Sequence, residues 1–152
     1  MKYRTLLILS IEVLSIACQH PADDLQEAQK RLLAVDRWQL EQIAMNEVPV
    51  FKNGKHLPHI SGVRFDRHLD WVKFYPDGGF EGHMTGDDTT QQYQWKVYGP
   101  QNVIALRDSA TGTGGWNIYP RNVYEGTFEM ETRSTIYDPP RVTKLTLKFN
   151  CE

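Results

Sequence analysis

From Trp38 onward the chain repeats one pattern: apolar and polar side chains alternate in short runs, and turn residues separate the runs. A period of two sends successive side chains to opposite faces of a strand, so each run buries one face and wets the other. Trp38 and Leu40 alternate with Gln39 and Glu41. Val72 and Phe74 oppose Trp71, Lys73 and Tyr75; after Pro76-Asp77-Gly78-Gly79, Phe80 and Met84 oppose Glu81, His83 and Thr85, which reads as a hairpin. Tyr93, Trp95 and Val97 alternate with Gln92, Gln94 and Lys96, and a turn over Gly99-Pro100-Gln101-Asn102 leads to Ile104 and Leu106. Trp116 to Tyr119 continues as strand, Phe128 and Met130 alternate with Thr127, Glu129 and Glu131, and Leu145, Leu147 and Phe149 oppose Lys144, Thr146 and Lys148. Asp138-Pro139-Pro140 interrupts any ladder between the last two runs. Residues 46–67, with Pro49, Pro58, Asn53-Gly54 and Ser61-Gly62, are less regular and read as one or two short strands with long loops. Strands with a single apolar face must bury that face together, and the expected solution is a mainly β fold: an antiparallel barrel of about eight strands.

Ahead of the strands, Leu25, Ala28, Leu32 and Val35 fall on one helical face. Asp23 or Asp24 serves as N-cap, with Gln26 or Glu27 three residues on, so a short amphipathic helix precedes the barrel.

The first residues have a different grammar. Lys2 and Arg4 precede an apolar run from Leu6 to Ala17, and small residues lead directly to Cys18, as in an export signal. Leu14-Ser15-Ile16-Ala17-Cys18 resembles a bacterial lipobox, whose cysteine is acylated and becomes the first residue of the mature chain. The implied organisation is a signal peptide over residues 1–17, a lipidated tether over 18–24 and a barrel domain over 25–152. The implied location is the cell envelope, with the membrane as a partner through an acyl anchor on Cys18, on the outer membrane or periplasmic face. Loss of Lys2, Arg4 and Glu12 with the signal would move the formal charge from -2 to -3. Such a balance offers no basic stripe for phosphates and argues against nucleic acid as a partner. Cys151 would be the remaining thiol, and an end-of-strand position suits it better than a catalytic one.

The helix followed by Trp38-Gln39-Leu40, the hairpin Phe74-Tyr75-Pro76-Asp77-Gly78, the pair Gln94-Trp95-Lys96-Val97 and Val103-Ile104-Ala105-Leu106, and the closing Leu145-Thr146-Leu147 together form a recognisable order. Over residues 30–149 this order resembles the small lipocalin-like domains of bacterial lipoproteins of the Bacteroidetes type. The resemblance implies a lipocalin-like barrel and leaves the ligand open.

Chemistry-bearing constellations are sparse. His56 and His59 stand three apart with His68 and His83 downstream, yet Pro58 breaks any helix that would aim the first pair at a metal. Gly112-Thr113-Gly114-Gly115 leads into a strand rather than a helix, so it reads as a turn and not a phosphate loop. Asp87-Asp88 and Asp23-Asp24 sit in turn or cap contexts, and no G-x-S-x-G or H-E-x-x-H occurs. No metal or cofactor is implied. The inward aromatic positions are the remaining candidates: Trp38, Phe74, Tyr93, Trp95 and Phe128 either line a pocket for a small apolar ligand or fill it. Its mouth would involve loops between Val48 and Arg67 and the glycine-rich loop. The expectation is a binding or structural envelope protein rather than an enzyme. Two other readings stay open: an envelope hydrolase using His56, His59, His68 and loop carboxylates, and a module that docks an envelope protein through a sheet edge or aromatic patch.

Overall fold

The computed structural model of the chain describes residues 20–57, 68–86, 89–108 and 115–152. The expected signal segment, Cys18, His59, Asp87, Asp88 and Gly112 to Gly114 lie outside the described residues. Helix α1 (Leu25–Leu33) is followed by β1 (Trp38–Met45), β2 (Val48–Lys52), β3 (Lys55–His56), β4 (Leu69–Phe74), β5 (Gly79–Met84), β6 (Thr89–Tyr98), β7 (Val103–Asp108), β8 (Trp116–Ile118), a 3-10 turn (Pro120–Asn122), β9 (Thr127–Asp138) and β10 (Arg141–Cys151). The sheet runs β10-β9-β8-β7-β6-β5-β4-β1, and β10 also pairs β1, so these eight strands close into an antiparallel barrel. The expected fold class is the observed one. Closure leaves those strands without a free edge over their paired lengths.

β1 is the branch point. Its first residues, Trp38 and Gln39, pair with β4, whereas Gln42 to Met45 pair with β2, which forms a small hairpin with β3. Both tight turns of this flap need left-handed backbone: Asn46 and Glu47 have φ of 46° and 71°, and Asn53-Gly54 have 50° and 77°. Such values at both central residues match the twist of the flanking strands, and Asn-Gly meets the requirement at least cost. Between Leu40 and Gln42 the register against β10 shifts, leaving Glu41 as an extra residue. That bulge keeps Ile43 and Met45 on the inner face with Trp38 and Leu40. The Glu41 carboxylate faces Lys148 Nζ at 2.9 Å.

The helix closes one end of the barrel. Asp24 accepts from Glu27 N–H at 2.8 Å while Asp23 N–H donates to the Glu27 carboxylate at 2.8 Å, a reciprocal box that starts the helix. Ala28 and Leu32 then bury against Trp38, Phe74, Trp95 and Ile104, and Trp38 Nε1 donates to the Leu32 carbonyl at 3.1 Å. The helix ends at Leu33, one half-turn before the expected Val35, which still packs on the core. Among the described residues the opposite end is open, and it carries the β2–β3 flap, the turn after Met84, the end of β7 and the turn from β9 to β10.

β9 and β10 are longer than the alternation predicts. Their ladder continues to Asp138↔Arg141, and the Pro139-Pro140 pair that was expected to interrupt it forms the reversal itself. By register, Thr132 and Ser134 share the inner face with Leu145 and Thr143. Inward hydroxyls thus replace apolar residues near the open end, and the hydropathy rhythm fades there although the strands do not.

Candidate functional site

The wall of the barrel is weakest at β8. Pro120, two residues after its end, cannot donate to a ladder, and the chain turns away over Pro120–Asn122. β8 shares three register pairs with β7 but one with β9, Asn117↔Glu131. Toward the open end β8 and β9 diverge, and a cleft of about 630 Å³ opens between them. Gly115, Trp116, Asn117 and Tyr119 form one side; Glu131, Thr132, Arg133, Ser134 and Ile136 form the other.

Both faces of the sheet contribute to this cleft. Thr132 and Ser134 come from the inner face of β9, Glu131 and Arg133 from the outer face. Trp116 is half-buried and packs against the core while exposing part of its indole to the cleft. Glu131 lies 3.2 Å from Lys144 Nζ, so its charge is countered. Arg133 is exposed and has no ion-pair partner among the described residues. Ile136, 80% exposed, stands at the rim. The cleft therefore offers an aromatic surface, an aliphatic rim, hydroxyls and one available cation, a lining suited to an amphipathic molecule.

The five inward aromatic candidates occupy the barrel interior, as their alternation places them. Trp38, Phe74, Trp95 and Phe128 are buried, and Tyr93 is half-buried against them. Their rings meet edge-on: Trp38–Phe128 at 5.0 Å, Phe74–Phe128 at 5.6 Å, Phe74–Trp95 at 6.5 Å and Phe80–Tyr93 at 5.7 Å between centroids. Trp95 Nε1 donates to the Tyr75 carbonyl at 3.0 Å, which satisfies its polar atom without a guest. A gap enclosed by Gln29, Leu32, Leu33, Phe74, Trp95 and Ile104 is too narrow for a water molecule. These side chains are brought together as packing, each large one contributing roughly 1.5–3 kcal/mol to folding. The cleft residues are inconspicuous in the sequence because Glu131 reads as part of an ordinary wet strand face and the residues after it carry no apolar alternation. The available signal was the shortness of the strand between Gly115 and Pro120.

The histidines do not converge. His56 and His68 both touch the Phe51 ring, at 5.4 and 4.6 Å, near the open end. His83 stacks on Trp71 at 5.4 Å on the outer wall, with Asp70 at 3.9 Å, and Arg37 also lies over the indole, at 4.4 Å. Among the described residues no group of three or more His, Cys, Asp and Glu could hold a metal ion. Shifted acidities belong to surface pairs away from the cleft. The Lys73 ammonium beside Asp36 holds that carboxyl below its usual range and is itself raised, and the bond from Tyr75 to Glu81, 2.7 Å, raises the phenol.

No helix among the described residues is long and apolar enough to cross a membrane. The chain matches no family model, no curated protein and no solved structure. Its function must therefore be argued from its own geometry.

Proposed function

We propose that this protein is an exported, lipid-anchored envelope protein that binds a small amphipathic ligand in the cleft between β8 and β9, with the packed barrel as rigid support. The lipocalin-like resemblance agrees with this reading at the level of fold. The observation that carries it is the single register pair between β8 and β9, because a barrel that needed only stability would gain by pairing those strands along their length. A volume of about 630 Å³ is within the usual range of small-molecule sites.

The anchor geometry supports the same reading. Arg31 donates to the carbonyls of His20 and Val123, at 2.7 and 3.3 Å, and Ala22 N–H donates to Val123 at 2.7 Å. The chain thus reaches the fold at the end closed by α1. Cys18, two residues before His20, can be no more than about 7 Å of chain away. An acyl group there holds the closed end toward the bilayer and leaves the cleft facing outward.

The test is native mass spectrometry of the full chain purified from its own host, alongside Ser134→Trp, which fills the cleft from the β9 side. A small molecule that accompanies the wild type and is absent from S134W supports the reading. Equal retention by both, or no accompanying molecule in either, overturns it. In the same spectra an unmodified Met1 would remove the lipid anchor.

Exposed Ile136 and Val142, 80% and 60% accessible near the β9–β10 reversal, favour a second reading in which this tip docks an envelope protein. Val142→Ser, which lies outside the cleft lining, would then lower cross-linking to that partner while ligand retention stays unchanged; undiminished cross-linking would exclude it.

A further inference from the structure

On the other side of β8 the outer wall carries a second depression, of about 400 Å³, lined by Tyr98, Gln101, Val103, Ala105, Arg107, Asn117 and Tyr119. We infer that this groove binds a carboxylate carried on a small ring, with Arg107 as the group that grips it. The groove shares Asn117 and Tyr119 with the β8–β9 cleft but is otherwise lined from β6, β7 and the turn between them, and the inference stands without that reading.

Three observations carry it. First, the floor is made of outward-facing residues that water scarcely reaches. Ile104 and Leu106 belong to the inner core, so Val103 and Ala105 alternate with them onto the outer face. Even so, they are only 7% and 1% exposed. Short side chains sunk between Tyr98, Tyr119 and Arg107 create a trough with an apolar base, whereas most outer positions of this barrel carry long polar groups.

Second, Arg107 is held in place with its hydrogen-bonding capacity largely unused. Its guanidinium lies against the backbone of Gly115: a Cβ added there would stand 2.6 Å from Nη1. Glycine leaves that space without displacing the side chain, and the strand entering β8 forms a seat for the cation. Nη1 donates to the Leu106 carbonyl at 2.8 Å, and among the described residues this is the guanidinium's only hydrogen bond. A guanidinium has five N–H donors in a planar fork that matches a carboxylate edge. A seated but unpaired fork is prepared for an anion, since little side-chain freedom remains to be lost on binding.

Third, the lining has one sign of charge. Among the described residues of the lining Arg107 is the single ionic one, and Gln101 and Asn117 add amide donors. A second cation, Arg121, stacks on the Tyr119 ring at 4.3 Å. One cation in the groove suits a monoanion better than a phosphate dianion, which ordinarily gathers several cationic or backbone donors. The paired tyrosines suit a flat body behind the carboxylate, either an aromatic ring or the apolar face of a sugar.

The experiment is an amide-resolved NMR titration of the full-length chain in detergent micelles with sodium 4-hydroxybenzoate, sodium glucuronate, glucose and inorganic phosphate. Saturable shifts centred on Ala105, Arg107 and Asn117 are expected with at least one of the two carboxylates, and whichever saturates identifies the body as aromatic or sugar. Arg107→Gln should weaken that binding by about tenfold or more, the usual scale for a charge-assisted hydrogen bond. Ala105→Leu, which keeps the cation and fills the trough, should weaken it similarly, so the conclusion does not depend on one variant. The inference is overturned if neither carboxylate shifts these amides at millimolar concentration, if R107Q and A105L bind as the wild type does, or if glucose or phosphate binds as well as the acids.

Discussion

The indole nitrogen of Trp38 donates to the carbonyl of Leu32 over 3.1 Å, tying the first barrel strand to the last turn of the helix that closes the barrel. Carbonyls in a helix's final turn lack intrahelical partners. Here the partner comes from a side chain that is itself wholly buried. Trp38→Phe should cost about 1–3 kcal/mol by leaving that oxygen dry and unpaired, and Trp38→Ala about 3–5 kcal/mol through the cavity as well. Urea unfolding of both variants measures the difference, and equal stability of W38F and wild type would refute the role of the bond.

Gly82 faces the interior between Phe80 and Met84, where an added Cβ would stand 2.5 Å from Leu69 Cδ2. Gly82→Ala should destabilise the barrel by about 1–3 kcal/mol through overpacking. Removing the opposing methyls should relieve the clash, so Leu69→Ala is expected to cost less in the G82A background than in the wild type. A double-mutant cycle by thermal unfolding supplies the coupling, and strict additivity would count against the contact.

The Glu27 carboxyl is held below its usual range, chiefly by the Asp23 backbone N–H and next by Arg31 at 2.6 Å. A carboxyl lowered by folding stabilises the fold at pH above its unfolded value, and that stabilisation disappears as pH falls through the folded value. Wild type should therefore melt higher than Glu27→Gln at neutral pH, and the gap should shrink as the solution is acidified below the carboxylate range. Melting curves across pH decide this; a constant gap would assign the effect to shape rather than charge.

Cys151 ends β10 with an exposed, free thiol. If Cys18 is acylated as proposed, alkylation of the folded protein from a bacterial host should add a single label, and Cys151→Ser should add none. Intact mass reads the count directly, and two labels on the wild type would contradict acylation at Cys18.

Anchoring through Cys18 also sets an orientation. In a C151S background on vesicles, a fluorophore at Asp77→Cys, in the closed-end turn, should be quenched by lipid-borne quencher more than one at Asn53→Cys, in the flap. The opposite order would reverse the proposed orientation.

Most of the fold was legible because barrel strands follow one rule, apolar inward and polar outward. That rule held from Val72 through Phe80 and from Leu145 through Phe149, and of the two cap candidates, Asp23 and Asp24, the second caps the helix. It failed where inward residues are polar, at Thr132, Ser134 and Thr143, so β9 and β10 ran longer than their apolar rhythm. It also missed the bulge at Glu41, since a one-residue slip is set by pairing with β10 and not by local composition. The inward aromatic residues were read correctly as a group facing one space, but alternation cannot tell lining from filling. The cleft was hidden for a related reason: it results from two strands parting company, and separation between distant segments leaves no periodic mark. The seat of Arg107 on Gly115 is likewise a meeting of neighbouring strands that spacing alone does not announce.

The pairing of β1 with β10 joins residues at nearly opposite ends of the sequence, Trp38 with Cys151 and Met45 with Leu145. Contacts of such long range form slowly, because the loop entropy of the intervening chain is lost before they return any stabilisation. The barrel cannot be completed during synthesis until β10, residues Arg141–Cys151, has been made. If the chain is exported unfolded as proposed, this delay would act as a built-in timer: the finished shape becomes reachable only once β10 is available.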